Sequence, residues 1–173
     1  MELQNVEFKA CVADLDSIED KLKGIELVLE GVYRQVDTYY NAPIGRVKLR
    51  EYGEFSSLIY YDRKNGEEAK SSDVIYYKHE NNPALGAILE LQFGIKVKVS
   101  KIRKVLKYKN VSIHLDQVDG LGCFVEVEAC NVGVERGVDL KQQCDDFFKL
   151  MELTKEDLVA VSYSDLILQL NEK

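Results

Sequence analysis

The sequence predicts an α+β fold built on an antiparallel sheet. Segments with a two-residue apolar/polar alternation recur along most of the chain, and most are joined by short turn signals rather than by helices. Helical patterning is confined to two short internal segments and the C-terminal tail. Hairpin-joined strands pair antiparallel, whereas a parallel sheet needs a long crossover between neighbours.

The first strand is read over Leu3–Val12, where Asn5, Glu7, Lys9 and Cys11 alternate with Val6, Phe8, Ala10 and Val12. Asp14 or Asp16 caps a short helix that runs to about Lys23, with Leu15, Ile18 and Leu22 on one face and Gly24 as its stop. Strands follow at Glu26–Tyr40, Arg46–Tyr52, Ser56–Lys64 and Val74–Lys78, punctuated by Asn41–Gly45, Gly53 and Asn65–Gly66. Asn82 and Pro83 are an N-cap and first-turn residue for a second helix ending at Gly94, with Leu85, Ile88 and Leu89 as its apolar stripe. Three more strands lie at Ile95–Lys109, Val111–Val118 and Cys123–Cys130, the last two joined through Asp119-Gly120-Leu121-Gly122. The tail reads as two helices, Asp139–Met151 and Thr154–Leu170, the second opened by a Thr154/Asp157 capping pair.

A length of 173 residues suits one domain, and 46% hydrophobic residues suffice for a core. With 30 acidic against 23 basic side chains the formal charge is −7, which argues against coating nucleic acid. No apolar run approaches the roughly 18 residues of a membrane helix, and MELQNVEFK does not resemble a signal peptide. A cytoplasmic protein is expected, without membrane partners. Cys11, Cys123, Cys130 and Cys144 have no zinc-finger spacing; Cys11 and Cys123, set among apolar strand residues, read as buried thiols.

Charge is sorted by face. Asn5, Glu7 and Lys9 project together, as do Arg46, Lys48 and Arg50; Lys101 and Arg103; His114 and Asp116; and Glu126 and Glu128. Solvated strand faces would explain any one of these. Like charges at i, i+2 on several strands are harder to leave unpaired, and a sheet closed into a barrel could turn them toward an anionic, metal-bound ligand.

These segments resemble the CYTH superfamily of triphosphate tunnel metalloenzymes, which includes class IV adenylyl cyclases and thiamine triphosphatases. Asn5-Val6-Glu7-Phe8-Lys9 is similar to the family's E-x-E-x-K strand, Asp37-Thr38-Tyr39-Tyr40 to its D-x-Y-F/Y strand and Val47-Lys48-Leu49-Arg50 to its L-R-x-R strand. Lys101-Ile102-Arg103 corresponds to its K-x-R pair. His114-Leu115-Asp116 with Gly120-Leu121-Gly122-Cys123-Phe124-Val125-Glu126-Val127-Glu128 resembles its most specific hairpin, and Ser162-Tyr163-Ser164-Asp165-Leu166 its S-Y-x-D-L helix. The resemblance implies a single domain over residues 1–173, an eight-stranded antiparallel closed β-barrel with flanking helices.

It further implies a small-molecule triphosphate such as ATP as substrate, Mg²⁺ or Mn²⁺ as cofactor and a possible homodimer. By position, Glu7, Asp116, Glu126 and Glu128 are the metal-side candidates. Lys9, Lys48, Arg50, Arg63, Lys101 and Arg103 are the substrate-binding candidates, and Lys9, Arg50, Lys101 and Arg103 the catalytic ones. The chain departs from the pattern at Asn5, which replaces the first Glu; at Tyr61 or Arg63, where a T-x-K pair is usual; and at Lys70 and Asp73, loose substitutes for an R-x-E. Class IV cyclase-like conversion of ATP to cyclic AMP and pyrophosphate is the expected activity. Alternatives are a triphosphatase or a weakly catalytic nucleotide-binding module.

Overall fold

The computed structural model of the protein describes residues 5–61, 74–131 and 138–172. Eight strands form one antiparallel sheet: β1 (Asn5–Val12), β2 (Val28–Tyr40), β3 (Arg46–Tyr52), β4 (Phe55–Tyr61), β5 (Val74–Glu80), β6 (Ile95–Tyr108), β7 (Val111–Val118) and β8 (Gly122–Cys130). Helices α1 (Leu15–Leu22), α2 (Pro83–Phe93), α3 (Leu140–Leu150) and α4 (Tyr163–Asn171) complete it. The strand order is β1-β8-β7-β6-β2-β3-β4-β5. Among the described residues no hydrogen-bonded ladder joins β1 to β5, so eight strands and antiparallel pairing stand as read and closure into a barrel does not. The expected Asn65–Gly66 turn lies outside the described residues.

The chain divides into two compact units, Met1–Val32 with Ile102–Ser162 and Tyr33–Lys101 with Tyr163–Lys173. In the first, β1, β8 and β7 pair so that Phe8 stands opposite Val127 and Ala10 opposite Val125, while Ile113 and Leu115 face Val127 and Val125 from β7. Residues opposite one another across a ladder share a face. This apolar face packs with Ile18 and Leu22 of α1 and with Leu140, Cys144 and Phe147 of α3 into one buried cluster. Phe8 meets Phe148 edge to face, ring centroids 5.4 Å apart. Asp14 caps α1 by accepting from the Ser17 N–H, and Asp139 caps α3 by accepting from the Gln142 N–H.

In the second unit, β2 to β5 form consecutive antiparallel pairs. One face, with Tyr40, Leu49, Val47 and Leu58, is packed with Leu85 and Leu89 of α2. Ile88, read as part of that helix's apolar stripe, is 56% exposed instead: Leu85 and Leu89 lie four apart on one line, and Ile88 falls off it. Gly45 closes the β2–β3 connection. Its φ of 62° is left-handed, and a methyl group there would come within 2.6 Å of the Tyr60 ring.

Two further readings are corrected. The tail does not continue as one helix from Thr154. Thr154 and Asp157 do form a capping box, but on a single 3₁₀ turn, Lys155–Asp157. Leu158 then bridges Ala10 and the Val159 N–H donates to the Lys9 carbonyl at 2.9 Å, so pairing to β1 interrupts the helix until α4. Of the cysteines, Cys144 rather than Cys11 is the buried one; Cys11 is exposed and Cys123 half-buried, and all four are free thiols.

Candidate functional site

Register places the charged residues in rows. In the first unit, Lys9 stands opposite Glu126, which stands opposite His114; beside it, Glu7 stands opposite Glu128, which stands opposite Ser112. Asp116, across from Phe124, is on the same face and fully buried. The period-two alternation of β1, β7 and β8 puts all of these opposite the apolar core.

Asp116 is engaged by Arg103 of β6, which donates from Nε at 2.7 Å and from Nη2 at 2.6 Å to its two carboxylate oxygens. Such a bidentate pair is charge-assisted and fixes the guanidinium plane. The same Nη2 lies 3.6 Å from a Glu126 oxygen, and His114 Nδ1 lies 3.3 Å from the other. The Asn5 side-chain amide donates to Glu128 Oε1 at 2.7 Å.

Of the four metal-side candidates, Glu126 and Glu128 come together, and the third member of their cluster is His114. Ligand atoms of these three lie within 4.8 Å of one another. Two carboxylate oxygens and an imidazole nitrogen are a donor set that suits a divalent ion, so the residues present fit a metal. Glu7 stands directly opposite Glu128 without being one of these three, and Asp116 accepts from Arg103 at both oxygens. Sequence reading paired His114 with Asp116 but gave it no role, because a lone polar residue on a strand reads as a solvated position.

In the second unit the rows are Asp37–Arg50–Ser57–Lys78 and Tyr39–Lys48–Ile59–Tyr76. Asp37 is the hub. It accepts from Arg50 Nε and Nη2, each at 2.7 Å, and from Lys48 Nζ at 3.0 Å. Burial pushes its carboxyl pKa up, but the Arg50 hydrogen bond and the charges of Lys48, Arg50 and Lys101 outweigh that and hold it well below the usual carboxylate range. Lys48 is held below the ordinary ammonium value by burial, which the Asp37 charge only partly offsets. Its ammonium also lies over the rings of Tyr39 and Tyr61, 5.3 and 5.8 Å from their centroids. Lys101 sits 5.0 Å from the Tyr163 ring centroid.

The structure therefore brings Lys48, Arg50 and Lys101 into the field of one carboxylate, a local excess of positive charge. Two residues of this arrangement escaped sequence reading as site residues. Asp37 was visible only as part of a strand motif. Lys78 shares its row through register, and its signal was the pattern Lys78-His79-Glu80 at the end of a strand read only to Lys78. Arg63, Lys70 and Asp73 lie outside the described residues.

Also in the second unit, a cavity of about 180 Å³ is lined by Tyr39, Arg46, Lys96 and Asp165 among others. Arg46 and Asp165 face each other across 3.6 Å. Among the described residues no helix is long and apolar enough to cross a membrane.

A family model described as the CYTH domain matches residues 3–163. A Methanocaldococcus jannaschii protein, provisionally named an adenylate cyclase, is 23% identical over 170 residues, covering 93% of this chain and 97% of its own. The solved PH1012 protein of Pyrococcus horikoshii superposes with a TM-score of 0.77 at 22% identity, covering 94% of this chain and 99% of that one. A Vibrio parahaemolyticus structure, also provisionally named an adenylate cyclase, gives 0.71 at 20% identity, covering 95% and 97%. At these identities the structural likeness speaks to the fold.

Proposed function

The chain belongs to the CYTH domain family, and from that premise we propose that it is a metal-dependent adenylyl cyclase of the class IV kind, converting ATP to cyclic AMP and pyrophosphate. The observation that carries the reading is the sorting of charge by register: cations gathered around Asp37, and carboxylates gathered with His114 on the β7–β8 pair. That a relative carries the provisional name adenylate cyclase is what points this reading to ATP over other triphosphates.

In this reading Lys48, Arg50 and Lys101 hold phosphate oxygens, with Lys78 added to the set and Lys9 and Arg103 retained from the resemblance. The ribose 3′ hydroxyl gives up its proton to water and its oxygen bonds to the α-phosphorus as the α–β bridging bond breaks, and pyrophosphate takes the electron pair. Fixed cations stabilise the charge that develops on that leaving group, which is where electrostatic preorganisation has its largest effect. Asp37 and Asp116 act as holders: each fixes an arginine in one plane so that little reorganisation is needed when an anion arrives. Glu126 and Glu128, with Glu7 beside them, are the residues that would hold a divalent ion, whose chemistry when bound is polarisation of phosphoryl oxygens.

A second reading, a triphosphate binder with little turnover, is favoured by Asn5. Its amide hydrogen-bonds Glu128 where relatives of the motif would place another carboxylate. Incubation with ATP, thiamine triphosphate or inorganic triphosphate, each with Mg²⁺ or Mn²⁺, followed by product identification, separates the readings. Cyclic AMP with pyrophosphate is the expected outcome. Orthophosphate release would make it a triphosphatase; tight binding without product would make it a binder.

A further inference from the structure

Resting on the reading that Glu126 and Glu128 hold the metal, we propose that His114 is a direct metal ligand and that it biases the site toward ions that accept nitrogen, Mn²⁺ or Co²⁺, over Mg²⁺. Two positions that the motif would assign to the ion are otherwise disposed in this chain. Asp116 has both oxygens committed to Arg103 at 2.6–2.7 Å, and the first position of the β1 motif is an amide that donates its N–H to Glu128 instead of offering a second negative oxygen. The donor that does stand with Glu126 and Glu128 is His114. Register sets it directly opposite Glu126, its Nδ1 is 3.3 Å from Glu126 Oε1, and its donor atom lies within 4.8 Å of those of Glu126 and Glu128.

The chemical consequence is selective. Mg²⁺ is a hard ion that keeps oxygen ligands and water, so an imidazole adds little to its affinity. First-row transition ions gain from a neutral imidazole nitrogen. Half-burial of His114 opposite Glu126 also limits ring motion, so the nitrogen is presented without a large ordering cost.

The test is electron spin-echo spectroscopy of the whole protein loaded with Mn²⁺ alone, which detects a directly coordinated nitrogen without any substitution. Native protein is expected to show nitrogen modulation; His114→Gln is expected to lose it, and His79→Gln, which alters the other histidine, to keep it. Titration should show Mn²⁺ affinity falling at least about tenfold in His114→Gln, since losing even an outer-shell partner of a metal ligand costs that much. Mg²⁺ affinity should stay within about twofold. Bound Mn²⁺ with no nitrogen modulation overturns the inference while leaving the carboxylate site standing. Unchanged Mn²⁺ affinity in a folded Glu126→Gln/Glu128→Gln double variant, or no Mn²⁺ bound at all, overturns that reading and the inference with it.

Discussion

Replacing Asp37 with Asn removes a charge while nearly preserving shape, and it strikes the hub of the basic cluster. Three donor contacts converge on this carboxylate, from Arg50 Nε, Arg50 Nη2 and Lys48 Nζ at 2.7, 2.7 and 3.0 Å. An amide can accept at its oxygen, but its NH₂ group then confronts an Arg50 donor. Removing one partner from a buried ion pair costs about 3–5 kcal/mol, mostly because the remaining charges are stranded. Here the side chains of Lys48 and Arg50 retain 12% and 21% of their exposure, against 5% for Asp37, so water recovers part of the loss and the lower end applies. About 3 kcal/mol corresponds to a fall in Tm of roughly 6–12 °C for a chain of this size. The stranded cations should in turn favour an anion. Inorganic tripolyphosphate should therefore raise the Tm of Asp37→Asn by more than it raises that of the native protein, since a ligand stabilises according to its concentration over Kd. Thermal melts followed by circular dichroism, with and without tripolyphosphate, measure both effects. A variant melting within about 2 °C of native, below even a 1 kcal/mol loss, would show that Asp37 does not hold the cations. Equal stabilisation of the two proteins by tripolyphosphate would show that the cluster is not an anion site.

Because the folded pKa of Asp37 is depressed, its contribution to stability is present above the unfolded value near 3.9 and is lost as pH falls through the folded value. Melts in acid should therefore drop more steeply below about pH 4 for native protein than for Asp37→Asn; parallel curves would contradict this. Asn5→Glu deletes the donor to Glu128 and adds a carboxylate beside it, so it should cost about 1 kcal/mol in metal-free protein. The same change should tighten Mn²⁺ binding, measured by calorimetric titration, and weaker binding would place the first strand away from the metal. Burial pushes the Cys144 thiol up to about 11, so it should resist alkylation at neutral pH while exposed Cys11 reacts first. Mass spectrometry of partially alkylated protein decides the order.

Strand faces were the most legible part of this protein. On β1, β7 and β8 the two-residue period separates Val6, Phe8, Val125 and Val127 from Glu7, Lys9, Glu126 and Glu128 without ambiguity, and the structure pairs them so. Asn82, and Asp14 as one of two alternatives with Asp16, were readable as caps because a side chain accepting from a first-turn N–H is a local device. What escaped depends on partners distant in sequence. Val159, read as helical, instead donates its N–H to the Lys9 carbonyl, a partner far away in sequence. The bidentate Arg103–Asp116 pair likewise joins residues on two strands that no local pattern links. Lys78 entered the basic row through three successive ladders, each of which had to be in register.

The Asp37–Arg50 pair has a consequence for how β2 and β3 find each other. These residues are directly opposed in the ladder, and the strands are joined by the short connection that ends at Gly45. A slip of one residue would turn Arg50 and Lys48 onto the apolar side and bring Leu49 and Val47 out from under α2. The pair thus belongs to an alignment in which both faces of the hairpin are satisfied, and it forms between residues close in sequence, where loop closure is cheap. A residue inserted between Lys48 and Arg50 should be far more damaging than one added to the connection at 41–45, because only the first forces the ladder to choose between its charges and its core.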